Sequence, residues 1–160
     1  MEVSMCMKKE IVTAPVTITV ADAASMFCAH HIGMLPVVDE SGNLVGILQL
    51  RNLLHIIMPA FVDLIEDFDY VGDFGAMEDR KPAQEELNKS ITEVMEEPIC
   101  VRDDSGLVRA FAFIHKHELL DLPVVNRDGQ LVGLASRVDI GRALLPTWCQ
   151  GAPNNQSSKS

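Results

Sequence analysis

Positive charge is what this sequence most conspicuously lacks. Its 13 Lys and Arg face 23 Asp and Glu, giving a formal net charge of -10. A protein that grips a phosphate backbone needs a basic face, so a nucleic-acid partner is excluded. Four cysteines, Cys6, Cys28, Cys100 and Cys149, are widely spaced and form no C-x-x-C pair. A zinc knuckle and a redox motif are therefore not spelled out, and reduced thiols fit a cytoplasmic protein. No apolar run is long enough for a membrane span, and Thr13 and Pro15 interrupt the stretch after Lys8 and Lys9 that a signal peptide would need. No Ser/His/Asp arrangement, catalytic carboxylate pair or P-loop is present, so the sequence reads as non-enzymatic. His115 and His117 are two apart on a predicted helix and face different sides, unlike the i, i+4 ligands of a metal site.

What is present is a chain that is 48% hydrophobic and repeats itself. Residues 35–54, LPVVDESGNLVGILQLRNLL, match residues 122–141, LPVVNRDGQLVGLASRVDIG, at an offset of 87 from Leu35 to Leu122. The register runs without a gap from Val20/Leu107 to Leu53/Ile140. It keeps Ala23, His30, Leu35, Pro36, Val37, Val38, Gly42, Leu44, Val45 and Gly46 identical to their partners.

Each copy reads as strand, helix, strand, strand, helix. The short β-branched run Leu35–Val38, turn residues 39–43 and a second run 44–48 make a hairpin with a Gly-containing loop. Val20, Ala23, Ala24 and Phe27 recur at helical spacing behind a Thr19 N-cap with Asp22 in the first turn. Ile11-Val12-Thr13 predicts a strand before that helix, and Asn52–Ile57 predicts a helix after the hairpin, ended by Pro59. The second copy predicts a strand at Ile99–Val101, a helix over 107–117, a hairpin over 122–135 and a helix over 138–145. The fold class is thus α/β (α+β), two βαββα repeats packed sheet to sheet with pseudo-twofold symmetry, since one such unit alone buries little surface. The predicted organisation is repeat 1 over 1–58, a helical insert over 59–90, repeat 2 over 91–146 and a disordered tail over 147–160. Within the insert, Phe61, Leu64, Ile65 and Phe68 follow i, i+3, i+4, i+7, an amphipathic helix.

The duplicated L-P-V-V-x-x-x-G-x-L-V-G run with its preceding helix resembles the CBS (cystathionine β-synthase) domain pair, or Bateman module. The likeness extends over residues 3–58 and 91–145 and, in the insert, to stand-alone bacterial pairs. The resemblance implies a regulatory module without catalysis. It would bind an adenosine-containing ligand (AMP, ADP, ATP or S-adenosylmethionine) in a cleft between the repeats, form a homodimer and signal to a downstream protein. The family's G-h-x-[S/T]-x-x-D signature is intact in the second copy as Gly133, Ser136 and Asp139, with Arg137 between. Ser136 would present its hydroxyl beside the free N–H groups of a helix start, and Asp139 could accept both hydroxyls of a ribose. Ser136 and Asp139 equally fit plain helix capping. The resemblance assigns the adenine half of this pocket to Val12, Thr13, Ile32, Met34 and Pro36. In the first copy Gln49 and Asn52 replace Ser and Asp. They define a weaker second cleft, completed by Cys100, Val101, Asp121 and Pro123. Asp121 stands where phosphate-binding members often carry a basic residue. The competing reading is a ligand-independent dimerisation or scaffold module that uses the 58–70 segment as its contact surface.

Overall fold

The computed structural model describes residues 1–58, 62–64 and 79–149. Its contacts divide the chain into two units. One comprises Val12–Pro98; the other combines Met1–Ile11 with the chain from Ile99 onward. The N-terminal arm therefore folds with the second repeat, although it precedes the first in sequence.

The Val12–Pro98 unit contains a three-stranded sheet in the order β1-β2-β3. β1 (Ala14–Pro15) runs parallel to β2 (Met34–Val38), which pairs antiparallel with β3 (Leu44–Gln49). α1 (Val20–His30) starts at Thr19, whose hydroxyl accepts the Asp22 N–H at 3.2 Å while the Asp22 carboxylate accepts the Thr19 N–H at 3.0 Å. α2 (Leu50–Leu54) and α3 (Gln84–Leu87) are short. Ala23 and Phe27 of α1 close over Leu35, Val37 and Leu48 of the sheet, with Ile91 fully buried in the same cluster. Ile91 begins a 3-10 turn, Ile91–Glu93, so the last part of this unit's core comes from just before the second repeat.

The other unit repeats the plan. β4 (Val101–Arg102) lies parallel to β5 (Asp121–Val125), which pairs antiparallel with β6 (Leu131–Ser136). α4 (Leu107–Lys116), α5 (Arg137–Leu144) and α6 (Pro146–Cys149) follow the chain order. Its buried set includes Leu107, Ala110, Ile114, Leu119, Leu122, Val124, Ala135 and Ile140, and also Val3 from the arm's own 3-10 turn, Val3–Met5. Val3 and Ile91 do the same work in their respective units. The repeat is so regular that both β2–β3 and β5–β6 shift register at the same place, between Val37 and Val38 and between Val124 and Val125. The hairpin glycines, Gly42 and Gly129, share a φ of +81°.

Three elements differ from the sequence expectations. The first strand is Ala14–Pro15 and not Ile11–Thr13, and its counterpart is Val101–Arg102 and not Ile99–Val101. β-propensity favours Ile-Val-Thr, but register is decided by which residue faces the core, and Ala14 opposite Val37 is fully buried. The helix expected over Asn52–Ile57 is Leu50–Leu54. It starts earlier because Gln49 caps it and Asn52 is its third residue. It ends earlier because the bonds tighten to i−3 type at Ile56 and Ile57. Of the four apolar positions of the amphipathic segment, only Leu64 lies among the described residues, in a 3-10 turn and 81% exposed; Phe61, Ile65 and Phe68 lie outside them, as do 150–160 of the expected tail, whose residues 147–149 are helical in α6.

Among the described residues, two non-glycine positions adopt the left-handed region, His31 (φ 49°) after α1 and Glu118 (φ 52°) after α4. They are repeat partners, and each reverses the chain from helix into strand. The left-handed well costs an L-residue about 1–2 kcal/mol, and glycine loses about 0.5–1 kcal/mol more backbone entropy on folding. Glu118→Gly should therefore stabilise by roughly 0.5–1 kcal/mol, seen as a raised urea midpoint at unchanged slope. A lowered midpoint would mean that Glu118 makes a contact worth more than the strain.

Candidate functional site

In the second copy, β6 delivers Ser136 to the start of α5 in extended conformation (φ −95°, ψ 168°). The Ser136 hydroxyl accepts the Asp139 N–H at 3.2 Å and donates to Asp139 Oδ2 at 2.6 Å. The same Oδ2 also accepts the Ser136 N–H at 2.9 Å. Lys8, from the arm, places Nζ 3.7 Å from that oxygen. The contacts of the carboxylate itself all converge on Oδ2. Oδ1 accepts nothing from the described residues and remains available on a side chain that is only 16% exposed.

Burial works to raise the Asp139 pKa, but the Ser136 hydrogen bonds and the Lys8 charge outweigh it and hold the group below its ordinary value. Asp121 goes the other way. Burial raises it foremost, the Asp139 charge adds to that, and Lys8 opposes both. Asp121 is the cross-strand partner of Ser136, so the structure puts it beside Asp139, in the unit of the intact signature. Cys6, Asp139 and Arg142 line a cavity of about 300 Å³ together with Met5 and Ala143. Arg137 is exposed at the first turn of α5. Cys100, Val101 and Pro123 also belong to this unit. Cys100 and Val101 line a separate depression with Arg102, Ser105 and Arg109.

Gly133 lets backbone approach backbone. A Cβ there would lie 2.7 Å from Met7 Cγ and 3.1 Å from the Lys8 carbonyl oxygen. The space over Gly133 is taken by the arm, whose Lys8 exchanges both backbone hydrogen bonds with Leu134 at 2.8 and 2.9 Å. Gly133 therefore acts on Asp139 at one remove, by seating Lys8.

The first copy is built the same way with its charges inverted. Gly46 is overlain by Met95 and the Glu96 carbonyl, and Glu96 exchanges backbone hydrogen bonds with Ile47 at 2.8 and 3.1 Å. Glu96 thus occupies the position of Lys8. The Asn52 Oδ1 accepts the Gln49 N–H at 2.7 Å, as Asp139 does for Ser136. The missing carboxylate is supplied by Glu96. It accepts from Asn52 Nδ2 at 2.9 Å, from Gln49 Nε2 at 3.2 Å on each oxygen, and from Arg51 Nε and Nη2 at 3.0 to 3.1 Å. Burial again works to raise its pKa, and the Asn52, Arg51 and Gln49 donors together bring it below the usual carboxylate range. Val12, Thr13, Ile32, Met34 and Pro36 belong to this unit, Met34 as the cross-strand partner of Gln49. Among the described residues no group of His, Cys, Asp and Glu suited to a metal is formed.

Lys8 and Glu96 escaped the sequence reading because the ungapped register stops short of them. Val3-Ser4-Met5-Cys6-Met7-Lys8 aligns with Ile91-Thr92-Glu93-Val94-Met95-Glu96 only after a one-residue shift.

A βαββα unit of this kind, duplicated and with a capped S-x-x-D turn, is matched by the family model "CBS domain" over residues 2–59 and 91–146. The chain belongs to the CBS domain family. In sequence, this CBS pair is 28% identical to an uncharacterised protein, MJ1426, of Methanocaldococcus jannaschii, over 86% of this chain and 90% of that one. Among solved structures it resembles CBSX2 of Arabidopsis thaliana crystallised with AMP (TM-score 0.68, 24% identity, 92% of this chain and 98% of that one). It also resembles the CBS pair of protein MJ0100 in complex with 5′-methylthioadenosine and S-adenosyl-L-methionine (TM-score 0.65, 23% identity, 92% and 98%). The two three-stranded sheets with their helices are the architecture these structures share. No helix among the described residues is long and apolar enough to cross a membrane.

Proposed function

We propose that this CBS pair is a non-catalytic sensor that binds one adenosine-containing ligand at the second copy's Ser136–Asp139 turn and reports its occupancy to a partner protein. The observation that carries the reading is the state of Asp139: an ionised carboxylate, held in place through Oδ2 and open at Oδ1. Such a group suits a ribose diol, and it lines the cavity shared with Cys6 and Arg142. Lys8 and Arg142 are the cations nearest to hand, and Arg137 adds a third at the helix start. Asp121 disfavours a highly charged phosphate chain, so AMP and S-adenosylmethionine rank above ATP as ligands. The AMP and S-adenosylmethionine complexes of the two related structures support the class. Val12, Thr13, Ile32, Met34 and Pro36 are proposed to contact the adenine, and Thr13→Ala and Met34→Ala test them separately from the ribose contact.

Mass spectrometry of small molecules released from the purified protein, followed by calorimetry with AMP, ADP, ATP, NADH and S-adenosylmethionine, tests this directly. Saturable heat from at least one is expected; heat from none overturns the reading.

Exposed Val108 and Phe111 on α4 and Val138 on α5 favour self-association as well. We propose a homodimer of which the ligand-independent scaffold is the limiting case. A dimer unaffected by every nucleotide of the panel would support the scaffold alone.

A further inference from the structure

The first copy's turn contains the parts of an oxyanion site, and one of its own residues fills it. Donors from three side chains, Gln49, Arg51 and Asn52, meet on the two oxygens of Glu96. Two of them owe their aim to the scaffold. Gln49 is only 2% exposed at the end of β3, and Asn52 is oriented by accepting the Gln49 N–H through Oδ1, which leaves its Nδ2 pointing outward from the turn. Arg51, 42% exposed, contributes the charge and a two-pronged contact suited to any planar or tetrahedral oxyanion. Beside them is a cavity of about 370 Å³ lined by Arg51, Asn52, His55, Val94 and Glu96. With the carboxylate removed, the formal charge of that lining changes from neutral to +1 with His55 neutral, and the buried Gln49 amide has lost its acceptor. A buried donor left unpaired costs about 1–3 kcal/mol, a cost that an incoming anion relieves.

We propose that Glu96 is a built-in occupant of an oxyanion site on the first copy, which takes up a small oxyanion of the phosphate or carboxylate class when the Glu96 side chain is withdrawn. The corresponding position of the second copy carries Lys8, which cannot mimic a ligand anion. Only the first copy is therefore masked from within. This inference does not depend on what binds at Ser136 and Asp139.

Inorganic phosphate is the probe, titrated into the full chain while the Arg51 Nε–H signal is followed by NMR, so that events at the second copy do not enter the readout. The wild type should show no saturable response. Glu96→Ala should bind phosphate at least tenfold more tightly than the wild type, in the low-millimolar range, and Glu96→Ala with Asn52→Ala, which keeps the Arg51 reporter but removes a donor, should lose most of that binding. Glu96→Gln keeps the side-chain volume while removing the charge, so it serves where the alanine variant fails to fold, and it should also bind. A folded Glu96→Gln or Glu96→Ala protein whose Arg51 signal responds to phosphate no more than the wild type's overturns the proposal.

Discussion

Deleting residues 1–10 should unfold the second repeat and leave the first standing. The arm buries Val3 completely, worth about 2 kcal/mol for a side chain of this size. It also makes five backbone hydrogen bonds within its unit: Val3 N–H to Ser105, Ser4 N–H to Asp103, Leu107 N–H to Met1, and the reciprocal pair of Lys8 with Leu134. At about 1 kcal/mol net apiece, arm removal costs on the order of 5–8 kcal/mol, comparable to the whole stability of a small domain at about 5–15 kcal/mol. Amide exchange separates the two units: Leu122, Val124 and Leu134 should lose their protection, while Leu35, Val37 and Leu48 keep theirs. Equal protection at both sets of amides would show that the arm is dispensable. By the same logic the sequence repeats are not the folding units. A fragment of residues 1–58 lacks Ile91, Met95 and Glu96, whereas 12–98 contains every contact described for its unit.

Asp139→Ala should weaken ligand binding at least tenfold and up to about a hundredfold, as for charge-assisted hydrogen bonds of about 1.5–3 kcal/mol. It should also destabilise by about 1–2 kcal/mol through the lost cap. Asp139→Asn separates the two effects. The first copy shows that an asparagine at this position still accepts the capping N–H, Gln49 to Asn52 at 2.7 Å, so the asparagine variant should retain most of the stability and still lose the ligand. Stability with weakened binding supports the ribose role; unchanged binding leaves only the cap.

The pH dependence has a definite sign. Asp139 and Glu96 have depressed pKa values in the folded chain, so their contributions are complete above the unfolded carboxylate pKa of about 4. They are lost as pH falls through the lower folded values. Asp121, raised by burial, contributes oppositely: protonation favours the fold, and that contribution fades as pH rises from the unfolded to the folded pKa. Asp139→Asn should flatten the acid limb of an unfolding-midpoint profile, and Asp121→Asn should raise stability near neutrality.

The repeat, both hairpins, both long helices and the Thr19 and Ser136 caps were legible in the sequence, because each is encoded locally by turn residues, period and capping chemistry. The two-residue strands were misplaced, since Ala14 and Val101 win on burial against a distant partner and not on propensity. The site was half legible. Ser136 and Asp139 are adjacent in sequence to the elements they cap. Lys8 and Glu96, however, reach their partners through 131 and 44 residues of intervening numbering, to Asp139 and Asn52 respectively. The first copy carries Gln49 and Asn52 at the signature positions, and its carboxylate stands instead at Glu96, just ahead of the second repeat.

One copy carries an open carboxylate, Asp139, and the other a filled one, Glu96. The most direct measurement is the stoichiometry of calorimetric titration of the full chain with AMP and with S-adenosylmethionine. A single site per chain is expected for whichever binds, lost in Asp139→Asn and retained in Asn52→Ala. Two equivalent sites per chain, or a single site that survives Asp139→Asn and disappears with Asn52→Ala, would contradict it.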